Sequence, residues 1–70
     1  MFWWFEKTGQ YLRYEARTRP EGGYELRVIN PDGSERVEVF NNSNGLSRRQ
    51  EAVERELASD GWNGPHGWNL

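Results

Sequence analysis

Polar and apolar residues alternate along two stretches of this chain. In YLRYEAR, which begins at Tyr11, every second residue is leucine, tyrosine or alanine, and charged residues lie between them. The run YELRVI, which begins at Tyr24, alternates in the same way. A period of two is typical of a strand with one buried and one exposed face. Runs rich in apolar residues also begin at Phe2 and Glu35, so the sequence predicts four strands within residues 2–40.

The segment INPDGS predicts a turn between the third and fourth runs, because Pro31 presets φ and Gly33 accepts a left-handed conformation. Two registers are compatible with this turn. A three-residue loop with a glycine bulge sets Leu26 against Glu38, whereas a four-residue loop sets Leu26 against Val37. The four-residue loop creates like-charge pairs on the exposed face, but it brings the apolar residues together on the other. We therefore expect the four-residue loop.

The segment TRPEGG joins the second and third runs. A register that pairs Arg17 with Glu25 and Glu15 with Arg27 brings opposite charges together on one face and apolar residues together on the other. We expect this register.

The segment EKTGQ joins the first and second runs, and its turn decides which aromatic residues are buried. A bulged turn with Gly9 in the left-handed conformation directs Phe2 and Trp4 toward the core. Trp3 and Phe5 then point the other way. A two-residue turn would exchange the two pairs. We expect the bulged turn.

The segment from Leu46 to Gly61 carries Leu46, Val53 and Leu57 at helical spacing, with charged residues between them. Asn42 or Ser43 can cap an early start, while Ser47 with Gln50 forms a capping-box pattern for a later one. Gly61 suits the position after the last helical residue. The sequence therefore predicts an α+β fold in which a four-stranded antiparallel meander is covered on one face by a C-terminal helix (β-β-β-β-α).

We expect one domain, with its parts at these positions: domain 1–70, sheet 2–40, helix about 43–60, ordered or partly ordered tail 61–70. A tryptophan can bury about 150 to 250 Å², which is a large contribution to the stability of so small a domain. Trp62 is therefore expected to dock on the fold, while Trp68, near the chain end, is available to a partner.

Composition narrows the class of protein. The 70 residues carry no cysteine and a net charge of −2, and eight of the nine basic residues are arginine. Disulfides and thiolate metal sites are therefore excluded, and no run of one charge indicates a nucleic-acid arm or a membrane anchor. The longest apolar run, FWWF, is too short for a signal peptide or a membrane span. We expect a cytoplasmic protein that does not bind membranes.

The sequence favours a protein that is not an enzyme. His66 is the single histidine, and no second histidine or cysteine completes a metal site or a nucleophilic triad. The glycines of EGG and PDG lie between strands rather than before a helix, so they do not form a phosphate-binding loop. We therefore predict no catalytic residues, no metal and no cofactor.

The exposed sheet face and an aromatic corner at the first hairpin are the candidate contact surfaces. The candidate partner-binding residues are Trp3, Phe5, Tyr11, Arg13, Arg27, Arg36 and Trp68. Aromatic rings beside arginine are also typical of surfaces that bind single-stranded nucleic acid, but glutamates on the same face would repel phosphates.

The segments YELRVINPDGSERVEVF, RRQEAVEREL and DGWNGPHG together resemble short, stand-alone bacterial proteins of uncharacterised function, and the resemblance implies no activity. In element order the chain is also similar to the units of PUR-type and positive-cofactor-four-type single-strand-binding proteins. The leading hypothesis is a non-enzymatic protein-interaction module that binds an unknown protein or itself, as a dimer. The alternative is a single-stranded nucleic-acid-binding protein.

Overall fold

Five strands and one helix form the fold in a computed structural model, which describes residues 2–68 except for the side chain of Trp68. In chain order they are β1 Phe2–Lys7, β2 Gln10–Thr18, β3 Tyr24–Ile29, β4 Glu35–Phe40, α1 Ser43–Ser59 and β5 Asn63–Trp68. The strands form one antiparallel sheet in the order β4-β3-β2-β1-β5. The predicted α+β class and the single helix are confirmed. The prediction of four strands is wrong, because the tail adds a fifth.

The first hairpin turns through two residues rather than a bulge. Thr8 and Gly9 both have positive φ, 48° and 80°, and Lys7 pairs with Gln10. Two successive positive φ values are typical of the type I′ turn, whose twist matches that of the strands. This register directs Trp3 and Phe5 toward the helix, so the expectation that they point away from it is wrong.

The β3–β4 hairpin also differs from the prediction, because its loop has three residues. Gly33, with φ of 90°, donates its N–H to the Asn30 carbonyl at 2.9 Å, and Asn30 donates to the Ser34 carbonyl at 2.8 Å. Leu26 therefore pairs with Glu38, as a type I turn with a glycine bulge requires. The turn chemistry outweighs the hydrophobic pattern of β4.

Glu38 is accommodated on the helix side of β4 by an arginine from α1. Arg49 donates its Nε–H toward both carboxylate oxygens of Glu38, at 3.0 and 3.1 Å. The charge-assisted bonds satisfy a carboxylate that would otherwise face the helix unpaired. At this edge of the sheet an ion pair therefore replaces the valine contact that we expected.

The β2–β3 register is the predicted one. Arg17 lies opposite Glu25 and Glu15 lies opposite Arg27. The expected pairing of opposite charges across these two strands is confirmed.

The helix begins and ends where the sequence indicates. The Asn42 side chain accepts a hydrogen bond of 2.9 Å from the Gly45 N–H, which makes it the N-cap. At the other end Gly61, with φ of 87°, follows the C-cap Asp60. Trp62 then packs against the core, as expected.

Tyr14 is the centre of the core and is 0% exposed. Its ring stacks between Trp3 and Phe5, with centroid distances of 5.1 and 5.7 Å. Its hydroxyl donates a hydrogen bond of 2.7 Å to Glu54 of α1. Burial of the ring raises the pKa of Tyr14 well above its usual range, and the bond to Glu54 raises it further. The hydroxyl is therefore a permanent donor that joins the helix to the middle of the sheet.

β5 packs beside β1 because two of its residues have no side chain. A Cβ on Gly64 would lie 2.8 Å from a ring carbon of Phe5, and one on Gly67 would lie 3.1 Å from a ring carbon of Trp3. The aromatic rings thus occupy the space above the glycines, which compensates for the contacts that glycine itself cannot make. Within residues 2–68, no helix is both long and apolar enough to cross a membrane.

Candidate functional site

The sheet has two unlike faces, because α1 covers only one of them. The uncovered face, here called the open face, has three parts: an ion-paired centre, a valine pair on β4 and an aromatic corner on β1, β2 and β5. The strand registers show which residues belong to the open face, because side chains of paired residues point to the same side of the sheet.

The centre of the open face is a row of alternating charges. Arg17 lies 3.3 Å from Glu25, and Arg27 lies 3.2 Å from Glu35 and 4.0 Å from Glu25. Glu15 adds a contact of 3.7 Å to Arg17. Such half-exposed pairs contribute about 0 to 1 kcal/mol each, so their main effect is on the surface potential rather than on stability. The row presents little net charge to a partner.

Two valines extend the open face to the edge of the sheet. Val37 is 45% exposed and Val39 is 53% exposed, although the hydrophobic pattern places both in the core. They alternate with Arg36 and Glu38, which point to the helix side. The three-residue loop is the cause, since a change of one residue in register moves every side chain of a strand to the other face.

The aromatic corner consists of Phe2, Trp4, Tyr11, Arg13 and His66. The ring of Trp4 is near those of Phe2 and His66, with ring centroids 6.5 and 5.5 Å away. Arg13 is opposite Trp4 on β2 and is exposed, and Tyr11 is 61% exposed. The corner therefore offers flat apolar rings, one cation and a histidine on one surface.

The corner differs from the predicted one in its aromatic residues. Phe5 is 1% exposed and Trp3 is partly buried against the core, so neither belongs to the open face. Their neighbours Phe2 and Trp4 take their places. The two-residue turn at Thr8-Gly9 is the reason, because it reverses which aromatic residues of β1 face the helix. The sequence allows this turn as the alternative to the bulged one.

Trp3 instead forms part of an apolar groove on the helix side. The groove has a volume of about 310 Å³ and is lined by Trp3, Ala16, Arg17, Thr18, Tyr24, Leu46 and Gln50. Two aromatic rings, a leucine and an alanine make it mainly apolar. It lies on the face opposite the aromatic corner.

The remaining predicted contact residues are distributed over the sheet. Arg27 lies on the open face within the ion-paired row. Arg36 lies on the helix side of β4, where its side chain is 61% exposed. Trp68 is placed opposite Phe2 in the β1–β5 register, but its side chain lies outside the described residues. Of the predicted contact residues, Tyr11, Arg13 and Arg27 lie on the open face.

His66 is exposed, and its ring lies 5.5 Å from the ring of Trp4. Among the described side chains, no group of three or more histidine, aspartate or glutamate residues is arranged to hold a metal ion. The open face combines aromatic rings, exposed valines and paired charges. Comparison of the chain with known protein families, with curated proteins and with solved structures gave no match.

Proposed function

We propose that this chain is a non-enzymatic protein-interaction module that binds its partner through the open face of the sheet. The observation that carries the proposal is the combination of exposed apolar side chains with charges that are already paired. Val37, Val39 and Tyr11 are each at least 45% exposed in a domain that has few apolar residues to spare. A contiguous apolar patch is typical of a contact site, and Val37 and Val39 are neighbours on one face of β4.

The charge pattern supports a protein partner. Arg27 is engaged by Glu25 and Glu35, and Arg17 by Glu15 and Glu25. A protein surface of alternating charge can complement such a row and fix the register of the complex. A phosphate backbone would have to displace the carboxylates before it could reach the arginines.

The aromatic corner also supports the proposal, because its residue types can anchor an interface. Tryptophan, tyrosine and arginine are the residues on which binding energy is concentrated in protein interfaces. Trp4, Tyr11 and Arg13 lie together at the corner, and Trp4 contacts the rings of Phe2 and His66. We expect the corner to contribute most of the affinity and the ion-paired row most of the selectivity.

Affinity capture with a matched pair of variants tests the proposal. Arg13→Glu reverses an exposed charge on the open face, and Arg48→Glu makes the same change on an exposed position of α1. We expect proteins captured from a native lysate by the unmodified chain to be retained by Arg48→Glu and lost with Arg13→Glu, while both variants melt like the parent. Equally strong capture by both variants would show that the interface does not include the open face at Arg13.

The second candidate function is binding of single-stranded nucleic acid, which the contact geometry of the corner favours. Trp4 and Phe2 offer stacking surfaces, and Arg13 lies beside them to bind phosphate. Titration of a labelled oligonucleotide at two salt concentrations separates the two functions. Saturable binding that weakens steeply with salt would support nucleic-acid binding, because phosphate contacts release counterions. Binding that does not saturate would count against nucleic-acid binding and favour a protein partner.

A further inference from the structure

The two edges of the sheet differ in their ability to accept another strand. At the β5 edge, Pro65 lacks an N–H, and the pairing with β1 shifts between Trp4 and Glu6. A proline and an irregular ladder both hinder the addition of a strand. β4, at the other edge, contains no proline, pairs regularly with β3 and is largely exposed.

The register of the hairpin shows which backbone groups of β4 face outward. Asn30 and Ser34 form a hydrogen-bonded pair. Hydrogen-bonded and non-hydrogen-bonded pairs alternate along an antiparallel ladder, so Arg36 and Glu38 bond to β3. The residues between and beside them, Glu35, Val37 and Val39, direct their N–H and C=O groups to the free edge. These groups are ready to form a further ladder.

The sequence of β4 is complementary to itself in one antiparallel register. If Val37 lies opposite Val37 of a second copy, then Arg36 lies opposite Glu38 of that copy, and the same pair recurs by symmetry. The arginine side chain is 61% exposed, and its nearest acidic partner in its own chain is Glu38 at 3.9 Å, so it is available for a closer contact. Arg49 already bonds to the Glu38 carboxylate within each chain, but a carboxylate has about four lone-pair sites and can accept a second arginine. A shift by two residues would instead set Glu38 opposite itself. The charges therefore select the register centred on Val37.

We propose that two copies of this chain associate through their β4 edges, antiparallel and centred on Val37, to form a continuous ten-stranded sheet. Val37 and Val39 of both copies then form one apolar cluster on the joined open faces. The inference rests on the proposed function as an interaction module and identifies one partner as the chain itself. The contact involves six residues on each side, fewer than the roughly 20–30 of a standard stable interface, so the dimer is expected to dissociate on dilution.

Sedimentation equilibrium of the full chain tests the association. We expect the average mass to rise from 8.3 kDa toward twice that value as the concentration increases. Val37→Pro removes an outward N–H without loss of a β3–β4 hydrogen bond, so the variant should fold and remain monomeric. A parent chain that stays monomeric up to about 1 mM, the range of weak association, would overturn the proposal.

Charge reversal tests the register. Arg36→Glu sets glutamate against Glu38 of the second copy, and Glu38→Arg sets arginine against Arg36. Glu38→Arg also breaks the ion pair with Arg49 of its own chain, so its folding is checked separately and Arg36→Glu is the primary test. Each variant alone should associate at least about tenfold more weakly than the parent, because two attractive pairs become repulsive. An equimolar mixture of the two should recover dimers, since each then meets the opposite charge. Arg48→Glu serves as the control for net charge and should associate like the parent.

The outcomes separate this inference from the proposed function. If the Arg36→Glu variant and the Val37→Pro variant both associate like the parent, the β4 dimer is overturned. This holds even if Arg13→Glu abolishes capture of another protein. Loss of self-association with Arg36→Glu, together with capture that Arg13→Glu does not affect, would support the dimer and overturn the wider role of the open face. Circular dichroism of each variant verifies that it is folded.

Discussion

Leu26→Ala and Val37→Ala should differ greatly in stability, although both residues are apolar members of the same hairpin. Leu26 is 0% exposed beneath the helix, so its replacement leaves a cavity and should cost about 2–5 kcal/mol. Val37 is 45% exposed on the open face, and its replacement should cost about 1 kcal/mol or less, mainly through strand preference. A domain of this size has a total stability of roughly 4–10 kcal/mol.

Urea denaturation followed by tryptophan fluorescence measures the difference. With a slope of about 1 kcal/mol per molar urea, the midpoint should fall by about 2–5 M for Leu26→Ala and by about 1 M or less for Val37→Ala. The comparison is made at a low protein concentration, where the β4 edge is unpaired. Equal, large losses for both variants would place Val37 under the helix and refute the three-residue loop.

Three further substitutions test other parts of the fold. Tyr14→Phe should destabilise by about 1–3 kcal/mol, because it leaves the partly buried Glu54 without its donor; a melting temperature equal to that of the parent would contradict this. Thr8→Asn should stabilise by a few tenths to about 1 kcal/mol, because asparagine tolerates the positive φ that strains threonine; a loss measured by denaturation would reject the type I′ turn. Gly64→Ala should cost more than Gly22→Ala, since both have positive φ but only the first meets a ring; equal losses would show that β5 does not pack as described.

Local rules predicted the elements that depend on local chemistry. The alternation in β2 and β3 predicted their register, because charges on one side and apolar residues on the other agree in a single pairing. The helix boundaries followed from Asn42 and Gly61, whose capping roles depend on neighbouring residues alone.

The registers of the outer hairpins could not be read from hydrophobicity. Val37 and Val39 suggested a buried face, but the turn through Pro31 and Gly33 sets the loop length. The acceptance of Glu38 on the helix side depends on Arg49, which lies on another element. A contact between distant elements leaves no signal in the local pattern of β4.

The fifth strand was missed for a related reason. The segment NGPHGW has no alternation and contains two glycines and a proline, which are all unfavourable in strands. Its pairing depends on the rings of Trp3 and Phe5, which cover Gly64 and Gly67 from β1. The same error affected the aromatic corner, since His66 belongs to it only through this pairing.

The pairing of β1 with β5 has a consequence for the nascent chain. Phe2 lies opposite Trp68, so β1, which is synthesised before the other elements of this sheet, receives its outer neighbour only after the helix and β5 have been synthesised. Contacts between such distant segments are slow to form, because a long loop must close before they are gained. Until then the outer side of β1, with its aromatic residues, is an unpaired edge that other chains can join. The interval between the synthesis of β1 and that of β5 is therefore a stage at which the aromatic residues of β1 are open to association with other chains.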